Sequence, residues 1–333
     1  MRRKLEGSRM MLTRRSVTAA LAAAPLLGQA RAAGAFPTRP VRMFCGYLPG
    51  GTTDIICRIL AERLGNTFGQ NVVVENRTGA SGLIAAEATA KSPPDGYTVF
   101  QNSLAMHCIM PQLPGQTMPL DTNRDLSPLA NIAGVYNVLV VSSRSPVRNV
   151  AELIDLAKKR KGELTFGSAG VGTTHHLAGE LFMKLAQVQM MHVPYRGGPA
   201  AILDIMGGRC DMMFGNLPEL TSYIRDGNLR ALGFGSARPS PLFPDVPLMS
   251  ATLPGFTFTN WFGLATPNGL PSEVQNAWSE TLLRVAKDPE LDRRFTENGI
   301  ENLIGTQAEF RDTIKRDSLF WGDLIREAGI QAG

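Results

Sequence analysis

The residues best suited to chemistry lie in two loops, Gly50-Gly51-Thr52-Thr53 and Gly170-Val171-Gly172-Thr173-Thr174. Each separates a short apolar run from a helix-period segment, so each reads as a strand-to-helix turn whose glycines let the main chain come close to a ligand. The first N–H groups of the helix that follows have no acceptor within it and favour negative charge. Either loop alone reads equally as an N-cap box, because Ser and Thr are ordinary caps and glycine is common in turns. Two of them at equivalent strand ends point to a split anion site, since ligands of open α/β sheets lie beyond the carboxyl ends of the strands. Neither loop is a GxxxxGK[ST] phosphate loop, and Gly170-x-Gly172 lacks the third glycine of a dinucleotide fingerprint, which argues against nucleotides.

Other residues allow two readings each. Asp54 falls in a first helical turn, where a carboxylate either complements the helix dipole or orients waters or an amino group of a ligand. Asn216 follows a strand and precedes Pro218, so its amide either caps the next helix or reads a polar ligand group. Arg77 and Arg196 lie in loops and are left out of the contact set, because such arginines are mostly solvated or paired. A hydrolase needs more than is present: Phe166 stands where the first glycine of GxSxG would precede Ser168. His176 and Glu180 are four apart on a helix and can face one metal, but no third ligand of the HExxH kind accompanies them. A metal-assisted hydrolase using that pair is the alternative reading. No cofactor or metal is expected.

The elements that must position these groups alternate. Strands are expected at Val41–Tyr47, Asn71–Glu75, Tyr97–Gln101, Asn137–Val141, Leu164–Gly167, Met191–Tyr195, Cys210–Gly215, Leu229–Gly235 and Phe258–Leu264. Helices fall between them, one with an apolar face of Ile55, Ile56, Ile59, Leu60 and Leu64. This pattern specifies an α/β fold with mainly parallel sheets in two lobes flanking a cleft. Residues 36–137 and 255–333 form lobe 1, residues 138–254 form lobe 2, and the chain crosses near Asn137 and over Thr252–Phe262. A chain of 333 residues that is 44% hydrophobic and 19% charged has material for two such cores. Cys45, Cys57, Cys108 and Cys210 contain no CxxC pair, and their pairing stays open.

The formal charge is +5, but residues 1–32 hold seven basic residues against one acid, so the remainder carries −1. A nucleic-acid surface is therefore not expected. The same front end has a basic region, an apolar run from Ser16 to Leu27 and the small-residue site Ala30-Arg31-Ala32, the layout of a cleaved export signal, Sec or twin-arginine. The mature chain is expected in a periplasm.

Nine motifs then stand in order: Tyr47-Leu48-Pro49-Gly50-Gly51-Thr52-Thr53-Asp54, Val74-Glu75-Asn76-Arg77-x-Gly79-Ala80-x-Gly82, Pro94-Asp95-Gly96-Tyr97-Thr98, Gly167-Ser168-Ala169-Gly170-x-Gly172-Thr173 with His176-Leu177, His192-Val193-Pro194-Tyr195-x-Gly197, Phe214-x-Asn216-Leu217-Pro218, Leu229-Arg230-Ala231-Leu232, Pro244-Asp245-Val246-Pro247 and Trp261-Phe262-Gly263-Leu264. Over nearly all of the mature chain this resembles the Bug-type receptors of tripartite tricarboxylate transporters. The resemblance implies a type II periplasmic binding protein of the Venus-flytrap kind. It implies a monomer that binds a small carboxylated ligand (a di- or tricarboxylate, an aromatic acid or an amino acid), with a membrane permease as its partner. Carried over by motif, the contacts fall on Tyr47, Pro49, Gly50, Gly51, Thr52 and Asp54 in lobe 1, and on Ser168, Ala169, Gly172, Thr173 and Asn216 in lobe 2. Gly46 and Leu48 depart from the family's frequent prolines, and His175 from its usual small hydroxyl residue.

Overall fold

In the computed structural model, residues 36–257 and 260–332 are described. The export signal expected in residues 1–32 lies outside them, as do the first two residues of the strand expected at Phe258–Leu264.

Among the described residues, eleven strands form two sheets. They are β1 (Val41–Cys45), β2 (Val72–Asn76), β3 (Thr98–Ser103), β4 (Leu126–Val135), β5 (Asn137–Ser142), β6 (Thr165–Ser168), β7 (Met191–Pro194), β8 (Met212–Asn216), β9 (Leu229–Phe234), β10 (Asn260–Pro267) and β11 (Ile300–Asn302). The helices are α1 (Thr52–Phe68), α2 (Leu83–Ala90), α3 (Thr122–Asp125), α4 (Val150–Arg160), α5 (Thr174–Ala186), α6 (Gly198–Met206), α7 (Leu217–Arg225), α8 (Ser272–Val285), α9 (Pro289–Glu297) and α10 (Gln307–Ala328). The first sheet runs β11-β4-β10-β3-β1-β2 and the second β7-β6-β8-β5-β9.

Local chemistry explains the elements that carry the site. In α1, Ile56, Ile59, Leu60 and Leu64 are buried at helical spacing, and the helix stops at Gly69, whose φ of 68° suits glycine and whose N–H bonds Gly65 O at 3.0 Å. All five residues of β8 are buried, as expected of a strand covered on both faces.

The expectation of mainly parallel sheets holds only where helices connect the strands: β1 is parallel to β2 and β3, and β6 to β7 and β8. Where the chain changes sheets the pairing is antiparallel, with β10 against β3 and β4, β11 against β4, and β5 against β8 and β9. Both sheets are therefore mixed. A direct β4-to-β5 crossing leaves no room for the helical crossover that parallel neighbours need. β4 itself is missing from the sequence reading. Its run of small residues includes Pro128, which sits beside a register shift against β10 and so gives up no regular ladder bond.

One apolar cluster continues from Phe166 and Phe214 of the second sheet and Phe182 of α5 to Trp261, Phe310 and Trp321. Trp261 packs edge-on against Phe310 at 5.1 Å and donates its indole N–H to Asp317 at 2.7 Å. All four cysteines are free and buried. Among the described residues no helix is long and apolar enough to cross a membrane.

Candidate functional site

Four strand-to-helix junctions aim helix N-termini at one small cavity of about 40 Å³. The β1–α1 junction of the first sheet brings Tyr47, Gly51, Thr52 and Thr53. From the second sheet, β6–α5 brings Ala169, Thr173, Thr174 and His175, β7–α6 brings Gly198, and β8–α7 brings Asn216 and Glu219. Ser103 and Ala105 beyond β3, with Asn260 and Phe262 of β10, complete the lining. The cavity thus lies off the carboxyl ends of strands from both sheets, the usual ligand position in such folds.

Of the residues expected in contact, Tyr47, Gly51, Thr52, Ala169, Thr173 and Asn216 line this cavity. Pro49, Gly50, Asp54, Ser168 and Gly172 do not, and their hydrogen bonds explain why. Asp54 is spent inside its own lobe, accepting from Gly50 N (3.0 Å), Asn76 Nδ2 (2.9 Å) and Arg58 Nε (2.8 Å). Burial pushes the Asp54 carboxyl up, but Arg58, Gly50 and Asn76 together outweigh it and hold it below its ordinary value. Ser168 is fully buried, with its Oγ 2.6 Å from His192 Nε2 and accepting from Gly170 N at 3.1 Å. Gly172 donates to His176 Nδ1 at 3.3 Å, and a Cβ there would meet Met110 at 3.0 Å.

The two glycine loops therefore differ. Thr173 is a true cap: it accepts from His176 N at 3.4 Å and donates to Gly170 O at 2.7 Å. Gly51 precedes α1 with no side-chain cap. The amides of Gly51 and Thr173 are used by Leu48 O and Gly170 O, whereas Thr53, Thr174 and His175 line the cavity from first-turn positions whose amides have no intrahelical acceptor.

Six polar lining residues are absent from the expected contact set: Thr53, Ser103, Thr174, His175, Asn260 and Glu219. Asn260 Nδ2 bridges Asn216 Oδ1 at 2.9 Å and Thr174 Oγ1 at 3.1 Å, tying β10 to the ends of α7 and α5. Glu219 is 5% exposed. Its Oε1 accepts from Asn216 N at 3.4 Å, and its Oε2 reaches across to Thr52 N, also at 3.4 Å. Burial raises its carboxyl to about 7 against those two amide bonds, and burial lowers His175 to about 4. The 3.5 Å contact between His175 Nε2 and Glu219 Oε1 is therefore a contact of a neutral imidazole at neutral pH. The signal for Glu219 was available: Asn216-x-x-Glu219 is a capping-box spacing directly after a strand.

Gly46, one departure from the family pattern, is explained by close packing, since a Cβ there would fall 2.7 Å from Gly82 Cα. The alternative hydrolase pair gains little. His176 Nε2 lies 3.4 Å from Glu180 Oε1, but its Nδ1 already accepts from Gly172 and its ring stacks on His192 at 4.1 Å. Among the described residues no group of three or more His, Cys, Asp or Glu side chains converges on a metal position.

Two mixed α/β sheets facing each other across a cavity of helix N-termini define a two-lobed binding protein of the periplasmic kind. A family model described as the tripartite tricarboxylate transporter family receptor matches residues 56–330, and the chain belongs to that family. It is an extracytoplasmic solute-binding receptor. Protein BugT of Bordetella pertussis (strain Tohama I) is 33% identical over 305 residues, covering 90% of this chain and 92% of BugT. Among solved structures, R. palustris Rpa4515 with adipate is 33% identical with a TM-score of 0.86, covering 89% of this chain and 99% of that one. MatC (Rpa3494) from Rhodopseudomonas palustris with bound malate is 25% identical with a TM-score of 0.81, covering 87% and 100%.

Proposed function

We propose that this receptor captures a small carboxylated metabolite in the cavity between its sheets and releases it unchanged. The observation that carries the reading is the convergence of α1 from one sheet with α5, α6 and α7 from the other on one cavity. A carboxylate there takes N–H donors from both sides, and only the closed arrangement offers both, so binding favours closure. The contacts are the amides of Thr53, Thr174 and His175, with Thr52, Ser103 and Asn260 as side-chain partners. Pro49, Gly50, Asp54, Ser168 and Gly172 shape the loops that present them. Relatives seen with adipate and malate support a small acid as the ligand class. The chain works as a monomer, exported by the signal in residues 1–32. Residues 36–137 and 255–333 move against 138–254, and the closed form docks on a membrane permease.

The test is a melting-temperature screen against dicarboxylates, tricarboxylates, aromatic acids and amino acids. At least one raises the midpoint in a saturable way without being consumed, as mass action requires of a ligand that binds only the folded state. A panel in which no acid shifts the midpoint, or one in which the acid is turned over, contradicts the reading.

A further inference from the structure

The amide of Thr52 heads α1, the position from which a ligand carboxylate would be held, yet the protein's own carboxylate occupies it. Glu219 Oε2 sits so deep among the helix ends that a Cβ on Gly198, the first residue of α6, would lie 2.1 Å from it, and one on Gly51 would lie 3.6 Å away. Three helix N-termini, those of α1, α6 and α7, thus surround one side-chain carboxylate.

Its bonds are poor for an ionised group. The two amide contacts are 3.4 Å and the His175 contact is 3.5 Å, whereas charge-assisted bonds run at roughly 2.7–2.9 Å. Among the described residues no Lys or Arg lines the cavity, and the other titratable groups there are His175 on α5 and Tyr47 after β1. His175 is neutral and Tyr47 is itself pushed up by burial. Beside Glu219, Thr52 Oγ1 and His175 Nδ1 are buried without a hydrogen-bond partner. The cavity therefore holds two chemically opposite features: first-turn amides at Thr53, Thr174 and His175, and a carboxylate that lacks a strong donor.

We infer that Glu219 is the specificity-determining residue of this cavity and that it selects a ligand bearing an ammonium group next to a carboxylate, an amino acid, over the corresponding deaminated acid. This rests on the carboxylate reading above and names its substrate class. The ammonium supplies the short charged donors that Glu219 lacks, while the ligand carboxylate takes the free amides. A dicarboxylate instead sets a second anion against Glu219 in a site with no cation to offset it.

The experiment is calorimetric titration at about pH 8, where Glu219 is ionised, using matched pairs: aspartate and succinate, glutamate and glutarate, leucine and 4-methylpentanoate, phenylalanine and 3-phenylpropanoate. In at least one pair the amino acid binds about 30-fold tighter than its deaminated partner, because a site built for a hydrogen-bonding group rejects an analogue lacking it. Glu219→Gln keeps the capping role, for which Gln serves as well as Glu, and brings the pair to within about threefold. Gly198→Ala, which leaves Glu219 in place chemically but pushes its flexible carboxylate from its seat, collapses the same ratio. Equal or tighter binding of the deaminated acid by the unaltered receptor, or a preference that survives Glu219→Gln, overturns the inference and leaves the carboxylate reading intact. A receptor that binds neither member of any pair overturns the inference, and one that also gives no shift in the melting screen overturns both.

Discussion

Thr174→Pro is expected to weaken ligand binding by about 30-fold, the loss of one charge-assisted hydrogen bond worth about 2 kcal/mol, with α5 preserved. Thr174 is the first residue of α5, and Thr173 before it has φ −77° and ψ 161°. That is the extended conformation a residue preceding proline prefers, and proline is at home at the first helical position, where its missing N–H has no intrahelical acceptor. The substitution thus removes one amide from the cavity together with the Thr174 hydroxyl, for which Thr174→Val is the control. Thr174→Val keeps the amide and removes only the hydroxyl that accepts from Asn260 Nδ2, so it separates main-chain from side-chain recognition. The measurement is the dissociation constant of whichever acid the melting screen selects. Unchanged affinity in Thr174→Pro, with an unfolding midpoint close to that of the unaltered protein, would show that the amide does not hold the ligand.

Glu219→Gln is expected to make the unliganded protein more stable above neutrality by on the order of 3 kcal/mol. Glu219 has a folded value of about 7 against an ordinary 4.5. A carboxyl raised in this way contributes stability that is complete below about pH 4.5 and disappears as pH climbs through about 7, because the unfolded chain releases the proton more readily. Gln carries no such proton. The two proteins should therefore be similarly stable near pH 5 and separate as pH rises to about 8. His175 acts in the opposite window: its folded value of about 4 means that stability is lost as pH falls from about 6.5 towards 4. It is present in both proteins and cancels in the difference. Urea unfolding midpoints of the pair across pH 5 to 8.5 decide the matter, and parallel curves would mean that Glu219 is already paired or solvated.

The sequence revealed what local periodicity and turn chemistry determine. β1, β2, β3, β6 and β8 are short apolar runs closed by glycine, proline or asparagine, so their existence was legible although their ends shift by one or two residues. β4 was not legible, because Leu126–Val135 combines small residues with Pro128 and shows no alternation, and because its place between β10 and β11 is set by residues more than 100 positions downstream. The same division governs the site. The two loops announced themselves through glycine and threonine next to helix starts. Asn260 and Ser103 carried no signal, since β10 and β3 bring them in by sheet topology rather than by spacing. Glu219 was visible only as a cap. That its second oxygen reaches Thr52, 167 residues away, depends on how the two sheets face each other. Gly172 lies outside the cavity lining: its conformation, φ 75°, suits glycine, and its amide is used by His176.

The central claim is that main-chain donors at the ends of α1 and α5 grip one acid from two sides. A crystal structure with an acid from the screen bound tests it most directly. The account predicts carboxylate oxygens within about 3.2 Å of the main-chain nitrogens of Thr53 and of Thr174 or His175. Ligand density elsewhere, for instance in the cavity beside Tyr136, Arg238, Trp261 and Arg316, with those amides left unbonded, would contradict it.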